Sequence, residues 1–414
     1  EKVGDGISKA AVPFLNELFL RFTNGYLYIG RTAKDLDAKK LLAPMAFFAA
    51  DDGAVISIAA RLDRIPAEVK TLFFGQFEHK VMEEQKKNQA GQDEIKKKVA
   101  ALTTDAGIGA VKMLLDDGKE LSLKAFADPK SDDLRIELTV TAKDGTALSK
   151  TFSGLSGRTS LPAAIAAVKN PVAHLSSKAG LPEALKKRFE PVIDQMVKDA
   201  IDKAGDREAA RRVLEPLAAT AKAGNVDFAI TLAGPDANKH YSVVAAAMIT
   251  DARELEKVAK AYAPMVPANV AEITFDVEKI GKFSLHKLVA KEDDADFDKV
   301  FGTRTGWMAV SDDCIAVSIE PEGALLKAGL KASPAAAPVL DGEVALARLV
   351  PLVEKKLKPD EMQALIKDSF GNSPPAGKDT IGLSIQGGRQ LSVKFKMKGK
   401  AFRLATMLDQ FKLR

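Results

Sequence analysis

Four lysines near the end of the chain have the spacing that most directly suggests a binding function. Lys394, Lys396, Lys398 and Lys400 alternate with apolar residues, and Arg403 follows them. In a β-strand, residues two apart point to the same face, so the four ammonium groups would form one cationic ridge. Such a ridge predicts an anionic partner, namely lipid headgroups, nucleic acid or an acidic protein. The alternatives are a solvated face, or an edge strand that uses lysine to prevent aggregation.

The residue types that bind metals do not occur at metal-binding spacings. The four histidines form no HxxxH or HExxH motif, so we expect a structural role for each of them: His79, His174, His240 and His286. An acidic run at residues 292–298 begins like a calcium loop, but Lys299 occupies the glycine position and Thr305 the glutamate position. We therefore expect a helix N-terminus at this run, and we predict no metal and no other cofactor.

No motif for phosphate binding or nucleophilic catalysis is complete. The stretch GNSPPAGKDT at residues 371–380 approaches a P-loop, but its spacing is one residue too long and Asp379 replaces the required hydroxyl residue. The stretch SGLSGRTS at residues 153–160 lacks the GxSxG nucleophile elbow. Cys314 lies in a predicted strand without a basic partner, so we expect an inert, half-buried thiol. These motifs therefore predict no catalytic residue.

The composition is that of an ordinary folded protein. Of the 414 residues, 46% are apolar and 28% are charged, and the net charge of +5 is too small to indicate sequence-specific nucleic-acid binding. No apolar run reaches the roughly 18 residues of a membrane helix, so we predict no transmembrane segment. The single cysteine excludes an intrachain disulfide and leaves the cytosol and the bacterial periplasm both open. Residue 1 is Glu, so we expect the natural start to lie upstream.

The elements that position these residues follow an order that recurs along the chain. Three stretches each run from an apolar strand through a short break to a proline that opens a helix, at Pro66, Pro182 and Pro351. Each stretch continues with a β-hairpin and a closing helix. The three stretches are residues 54–153, 172–262 and 342–412. Asp-Gly pairs precede several of the strands and predict turns, as at Asp341-Gly342.

These patterns predict an α+β protein of three related modules, repeated in tandem. Each module is expected to be an antiparallel sheet with helices packed on one face, in the order strand, helices, strand, strand, helix. The Pro- and Ala-rich segment at residues 331–343 resembles a linker and suggests the last boundary. The expected domains are an N-terminal helix and connector (1–53), module 1 (54–160), module 2 (161–264), a connector with strand pairs and a helix (265–339) and module 3 (340–414).

The connector contains a stretch whose pattern recurs near the start of the chain. Residues 307–330, WMAVSDDCIAVSIEPEGALLKAGL, predict two short strands joined at residues 311–313, followed by a helix, and residues 26–42 have a similar pattern. Together with Gly306, this stretch resembles uncharacterised bacterial extracytoplasmic proteins of unknown function, in which short strand pairs alternate with helices. The resemblance lies in the alternation of strand pairs and helices over most of the chain. It implies an exported bacterial protein, extracytoplasmic or periplasmic, and it transfers no activity and no functional residue.

The repeat and the lack of a catalytic motif predict a non-enzymatic exported protein. Its repeated sheets would provide a binding or scaffolding surface for another protein or an envelope component. A first alternative is a carrier of a lipid or other apolar ligand, suggested by phenylalanines in predicted strands and helices: Phe73, Phe74, Phe77, Phe228 and Phe395. A second alternative is an enzyme whose site is assembled from residues distant in sequence, which carboxylates or histidines clustered beside a cleft would favour.

Overall fold

The structure is a computed structural model, and its described residues form two compact units, residues 1–54 and residues 55–414. The described residues are 2–4, 6–12, 16–23, 26–38, 41, 53–88, 94–128, 130, 132–353, 364, 369 and 379–401. Within these ranges, no helix has both the length and the apolar character needed to cross a membrane.

The first unit contains an antiparallel sheet of four strands in chain order. The strands are β1 (Lys2–Gly4), β2 (Ile7–Val12), β3 (Asn16–Thr23) and β4 (Tyr26–Gly30). A short 3-10 helix follows at Ala33–Leu36, and Leu36 is buried against this sheet. The expected N-terminal helix is therefore wrong for the described residues between 2 and 30, which form strands. The reason is visible in β3, where Leu18, Leu20 and Phe22 alternate with polar or aromatic residues at the period of a strand.

The second unit begins with a strand, two long helices, a hairpin and a short helix. These elements are β5 (Ala54–Ala60), α1 (Ala67–Asn88), α2 (Glu94–Asp117), β6 (Gly118–Asp128), β7 (Asp133–Ala142) and α3 (Ala147–Ser153). A short strand and helix follow, β8 (Thr159–Ser160) and α4 (Leu161–Ile165). Thr146 caps α3 by accepting a hydrogen bond from the backbone N–H of Ser149.

The next stretch has the same order of elements as residues 54–153. Its elements are β9 (Ala173–Gly180), α5 (Glu183–Lys203), α6 (Arg207–Ala223), β10 (Asn225–Ala233), β11 (Ser242–Met248) and α7 (Ala252–Tyr262). Pro182 is the N-cap of α5, which confirms the prediction for this proline. Gly224 ends α6 in the left-handed conformation, with φ +63°, as helix C-termini commonly require.

Two hairpins with helices connect this stretch to the last strands. They comprise β12 (Ala271–Ile280), β13 (Phe283–Ala290), α8 (Ala295–Phe301), β14 (Thr305–Val310), β15 (Cys314–Ile319) and α9 (Ala324–Gly329). The predicted order of strand, turn, strand and helix over residues 307–330 is thereby confirmed. The acidic run also begins a helix as predicted, because Asp294 caps α8 by accepting from the N–H groups of Asp296 and Phe297.

The described chain ends with three strands and one helix. They are preceded by β16 (Ala335–Ala336) and comprise β17 (Leu340–Ala345), α10 (Leu346–Val353), β18 (Thr380–Gln386) and β19 (Gln390–Lys398). The prediction that Pro351 opens a helix is wrong, because α10 begins five residues earlier. The turn predicted at Asp341-Gly342 is also wrong, because both residues lie within β17. Residues 371–378 of the P-loop-like stretch lie outside the described residues.

One large antiparallel sheet joins the strands of the second unit. Its order is β12-β13-β14-β15-β11-β10-β9-β17-β18-β19-β7-β6-β5, while β8 and β16 form a separate pair. The predicted α+β class with an antiparallel sheet is confirmed. The strands of the three expected modules occupy adjacent parts of one continuous sheet, so the finer prediction of three tandem modules is not confirmed by this topology.

The main core lies on one face of this sheet, which we call the core face. A row of four alanines and one leucine crosses five strands there: Ala229, Ala246, Ala316, Ala309 and Leu285. Because the alanines of this row are small, α4 and α9 approach closely and contribute Ile165 and Leu326 to the core. The packing of α9 against α4 is tight, since a Cβ at Gly329 would lie 2.1 Å from the carbonyl oxygen of Ile165.

Candidate functional site

The opposite face of the sheet carries two rows of apolar residues across four central strands. Residues directly opposite each other in paired strands lie on the same face. The register of β10, β9, β17 and β18 therefore aligns a first row, Ile230, Leu175, Gly342 and Leu383. It aligns a second row beside the first, Leu232, Ala173, Val344 and Ile381. We call this face the groove face and the surface formed by these eight residues the groove.

The groove is a concavity that no side chain of the described residues fills. Its volume is about 450 Å³, within the roughly 300–1,000 Å³ of small-molecule sites. Leu175, Ile230 and Leu383 are 41%, 44% and 39% exposed, although they lie in one cross-strand row. Gly342 lies in the middle of the first row, and a Cβ there would lie 3.2 Å from Cδ1 of Leu175. The absence of a side chain at Gly342 therefore keeps the floor of the groove low.

The apolar surface of the groove face continues beyond the groove. Leu383 is opposite Phe395 in β19, Phe395 is opposite Ile136 in β7, and Ile136 is opposite Ala125 in β6. Phe228 lies on the same face, two residues before Ile230. Two of the five phenylalanines that suggested a carrier are therefore on this face. The other three lie in α1, where Phe73 is exposed.

Helices lie on the groove face at both ends of this apolar surface. At one end, Leu148 and Phe152 of α3 pack against Val140 of β7. At the other end, Glu256 of α7 approaches His286 of β13, which lies in the same cross-strand row as Ile230. The helix pairs α1–α2 and α5–α6 meet where the guanidinium of Arg188 binds the carboxylate of Asp105 at 2.5 Å. The groove lies in the part of the sheet between α3 and α7.

A histidine–carboxylate pair lies directly behind the groove, on the core face. His174 Nε2 is 2.9 Å from Asp341 Oδ2, and this hydrogen bond raises the pKa of His174 above its ordinary value. The pair borders a second cavity of about 320 Å³, walled mainly by alanines, with Thr231 at its floor. A half-buried imidazole hydrogen-bonded to a carboxylate can hold or release a proton. Neither side chain reaches the groove, because His174 and Leu175 are consecutive in a strand and point to opposite faces.

A second charged cluster brings together Glu256, Asp276 and His286, whose ligand atoms lie within 4.8 Å of one another. His286 Nδ1 accepts a hydrogen bond from the backbone N–H of Asp276 at 2.9 Å, so its lone pair is already used. The Glu256 carboxylate binds Arg253 at 2.7 Å and Lys260 at 2.8 Å. Two cations beside the carboxylates indicate a salt-bridge network, and we assign no metal to it.

The network shifts the pKa of each of its members in a direction that has a physical cause. Burial lowers the pKa of His286, and the nearby carboxylates offset this only in part. Burial alone would raise the pKa of Glu256, but Lys260 and Arg253 lower it further than burial raises it. Lys260 also lowers the pKa of Asp276 through a hydrogen bond at 2.8 Å. The cluster is therefore most stable with a neutral imidazole between ionised partners.

The predicted lysine ridge is only partly available to a partner. Lys394, Lys396 and Lys398 belong to β19 and point to one face, as expected. Lys394 Nζ lies 3.9 Å from Glu137, and Lys398 forms an ion pair with Asp133. Two of the three ammonium groups in the strand are thus neutralised by the neighbouring strand β7.

The remaining members of the ridge differ from one another. Lys396 is exposed and lies opposite Arg135 of β7. The backbone N–H of Lys400 donates to Asp132 at 3.2 Å, and Arg403 lies outside the described residues. The alternative of an edge strand is wrong, because β19 is paired with β18 on one side and β7 on the other. Binding of an anionic partner stays a prediction.

Cys314 is a core residue. Its side chain is fully buried among the apolar residues beneath α4 and α9, which is deeper than the half-buried position expected. Burial raises the pKa of the Cys314 thiol to about 12, so the reactive thiolate is scarce at neutral pH. The prediction of an inert thiol agrees with this environment.

The groove differs from the sites that sequence motifs suggested. Its residues come from four strands between residues 173 and 383, and none of them belongs to a recognised motif. No protein-family model, no curated protein and no solved structure matches the chain. A functional proposal for this chain therefore depends on the geometry of the groove and of the surfaces around it.

Proposed function

We propose that this protein binds an elongated apolar ligand, such as the acyl chain of a lipid, in the groove. The observation that carries the proposal is the pair of apolar rows on β10, β9, β17 and β18, which surround a concavity of about 450 Å³. Exposed leucine and isoleucine side chains gain free energy when a hydrocarbon chain removes them from water. Isolated exposed apolar residues are common, whereas a contiguous apolar concavity indicates a binding site.

The direction of the rows favours a long ligand over a compact one. Each row crosses four strands, and neighbouring strands are about 4.8 Å apart, so a row spans about 14 Å. The apolar surface then continues through Phe395 and Ile136 toward β6. Charged side chains of the same strands, among them His174, Asp341 and Lys394, point to the other face. The groove thus offers hydrophobic contact along its length.

We also propose that residues 54–153, 172–262 and 342–412 are three related modules of an exported protein. The first two have the same order of strand, two helices, two strands and helix. In the third, β17, α10, β18 and β19 follow this order as far as the described residues extend. The extracytoplasmic location rests on the resemblance of residues 306–330. In that compartment, the groove would provide the binding surface for an envelope lipid.

The first experiment is a titration of the purified protein with fluorescent fatty acids of increasing chain length. Each buried methylene contributes about 0.8 kcal/mol, so affinity should rise about fourfold per added methylene until the groove is full. Native mass spectrometry of the same sample would show whether the protein already carries a ligand. A wild-type protein that binds none of the chains and carries no ligand would refute the proposal.

Two variants locate the site. Leu175→Asp places a charge on the groove floor and should weaken binding at least tenfold. Leu288→Asp is the matched control, because Leu288 is also 41% exposed on the groove face but lies on β13, outside the groove. Equal weakening by both variants would contradict binding in the groove. Circular dichroism and thermal unfolding would verify that both variants are folded.

A further inference from the structure

Strand β5 forms one end of the large sheet and has unusual exposure. Among the described residues, its partner is β6 on one side, and no strand follows on the other. Val55, Ile56 and Ile58 are 62%, 54% and 59% exposed, so apolar side chains on both faces of the strand contact water. Exposed apolar residues continue along the chain into α1 at Leu72 and Phe73. An edge strand of this kind can pair with another chain.

The strand at the other end of the sheet is protected, whereas β5 is not. The sequence of β12, AEITFDVEKI, contains four charged residues, and its register with β13 is interrupted between Thr274 and Glu278. Charges and bulges are the usual means by which an edge strand avoids pairing. The sequence of β5, AVISIAA, contains no charge, no proline and no glycine. Pairing at β5 therefore meets none of the obstacles that β12 presents.

The structure also shows how an equivalent strand is paired. β9 begins a stretch with the same order of elements as the stretch that β5 begins, and its outer edge is covered by β17. The two strands run antiparallel, with His174 opposite Glu343 and Ala173 opposite Val344. Both β9 and β17 lead into helices, as β5 does. This sheet thus already contains two paired strands that each precede a helix. The two strands are related by a local two-fold axis.

We propose that β5 pairs with β5 of a second copy of this chain, antiparallel across a two-fold axis. The pairing would repeat the arrangement of β9 and β17 and join two large sheets into one. An uncharged strand suits self-pairing, because a charged residue near the centre of such a pair would face its own copy. The side chains of Val55, Ile56 and Ile58 would then pack against their counterparts. This proposal is independent of the ligand groove.

The first test measures molecular mass by light scattering and sedimentation velocity over a range of protein concentrations. The wild-type protein should have twice the chain mass of 44.3 kDa. The double variant Ile56→Lys, Ile58→Lys should have the mass of a single chain, because four ammonium groups would meet at the interface. Val277→Lys on the exposed part of β12 is the control and should remain dimeric. A wild-type protein of single-chain mass at every concentration, or a dimer unaffected by the lysines, would overturn the proposal.

The second test locates the interface by crosslinking. Val55→Cys, Ser57→Cys and Ala59→Cys place single thiols along one face of β5, and the native Cys314 is buried and does not compete. Directly opposite residues of antiparallel strands have Cα atoms about 4.5–5.5 Å apart, within disulfide range. Mild oxidation should give a covalent dimer for at least one of these variants and none for Val277→Cys. In a monomer, slow hydrogen exchange of the β5 amides that point away from β6 would show that the same chain covers the outer edge of β5, and would also overturn the proposal.

Discussion

The variant His286→Asn should reduce the loss of stability that this protein suffers in mildly acidic solution. The side chain of His286 is 3% exposed and lies between α7 and β12. Its Nδ1 accepts the backbone N–H of Asp276 at 2.9 Å, while Nε2 lies 3.2 Å from Glu256 Oε1. Protonation of Nδ1 would place a second hydrogen against that N–H and would require the hydrogen bond to break. Asn was chosen because its amide oxygen can still accept the N–H of Asp276, and because it does not titrate.

The sign of the effect follows from the direction of the pKa shift. Burial lowers the pKa of His286 below its ordinary value of 6.5, and the charge of Lys260 acts in the same direction. Glu256 and Asp276 oppose the shift but are outweighed. Below pH 6.5 the unfolded chain therefore binds a proton at His286 more readily than the folded protein does. The contribution of neutral His286 to stability is complete above pH 6.5 and is lost as the pH falls below it.

The size of the effect has an upper limit that can be calculated. Consider a pH range in which the histidine is protonated in the unfolded chain and neutral in the folded protein. There, the free energy of unfolding falls by about 1.36 kcal/mol for each unit by which the pH decreases. Between pH 6.5 and pH 5.0 the maximum loss is therefore about 2 kcal/mol. The Asn variant lacks this contribution, so its stability should fall less than that of the wild type over the same interval.

The assay is urea unfolding at pH 7.5 and pH 5.0 of the wild type, His286→Asn and His79→Asn. His79 has a side chain that is 78% exposed and serves as the control for losing any histidine. The raised pKa of His174 gives a contribution of the opposite sign, present below pH 6.5 and lost as the pH rises, but it is common to all three proteins. An equal difference between wild type and His286→Asn at both pH values would refute the reasoning.

Two further predictions concern the core face. Gly323→Ala should destabilise the protein by about 1–3 kcal/mol more than Gly281→Ala in urea unfolding. Both glycines have positive φ, +68° and +57°, but only at Gly323 would the new Cβ meet Trp307, at 2.9 Å from Cδ2. Equal losses would show that backbone strain alone matters. Cys314, with its pKa raised to about 12 by burial, should react with a thiol reagent at pH 8 only as fast as the protein unfolds; rapid reaction of the folded protein would contradict its buried position.

Local patterns in the sequence predicted much of the secondary structure. The hairpin predicted in residues 54–153 contains β7, in which Leu134, Ile136, Leu138 and Val140 alternate with polar residues, and the acidic run at residues 292–298 predicted the start of α8. Both signals depend on residues within one element or its first turn, where local sequence determines conformation. The expected N-terminal helix was wrong because Leu18, Leu20 and Phe22 of β3 recur at the two-residue period of a strand and not at the period of a helix. The secondary structure was therefore predictable where the spacing of apolar residues or the residues of the first helical turn indicated it.

The groove could not be predicted in the same way. Its floor depends on the pairing of Leu175 with Gly342, two residues separated by more than 160 positions, and on the register of that pairing. A shift of one residue would turn Leu175 toward the core face and His174 toward the groove. Gly342 was interpreted as part of a turn, because an Asp-Gly pair before an apolar run usually forms one. The phenylalanines suggested a carrier of an apolar ligand, whereas the groove is lined by smaller aliphatic residues.

The alternating lysines of β19 show how one strand serves two surfaces. Lys394 and Lys398 face Glu137 and Asp133 of β7, so two of the charges of the predicted ridge are balanced by the neighbouring strand. Cross-strand pairs of opposite charge stabilise a sheet by about 0.2–1 kcal/mol each. The residues between these lysines, among them Phe395, face the other way and extend the apolar surface of the groove face. The lysines keep one face of the strand hydrated, while the opposite face stays free of charge, and only that charge-free face suits a hydrocarbon chain.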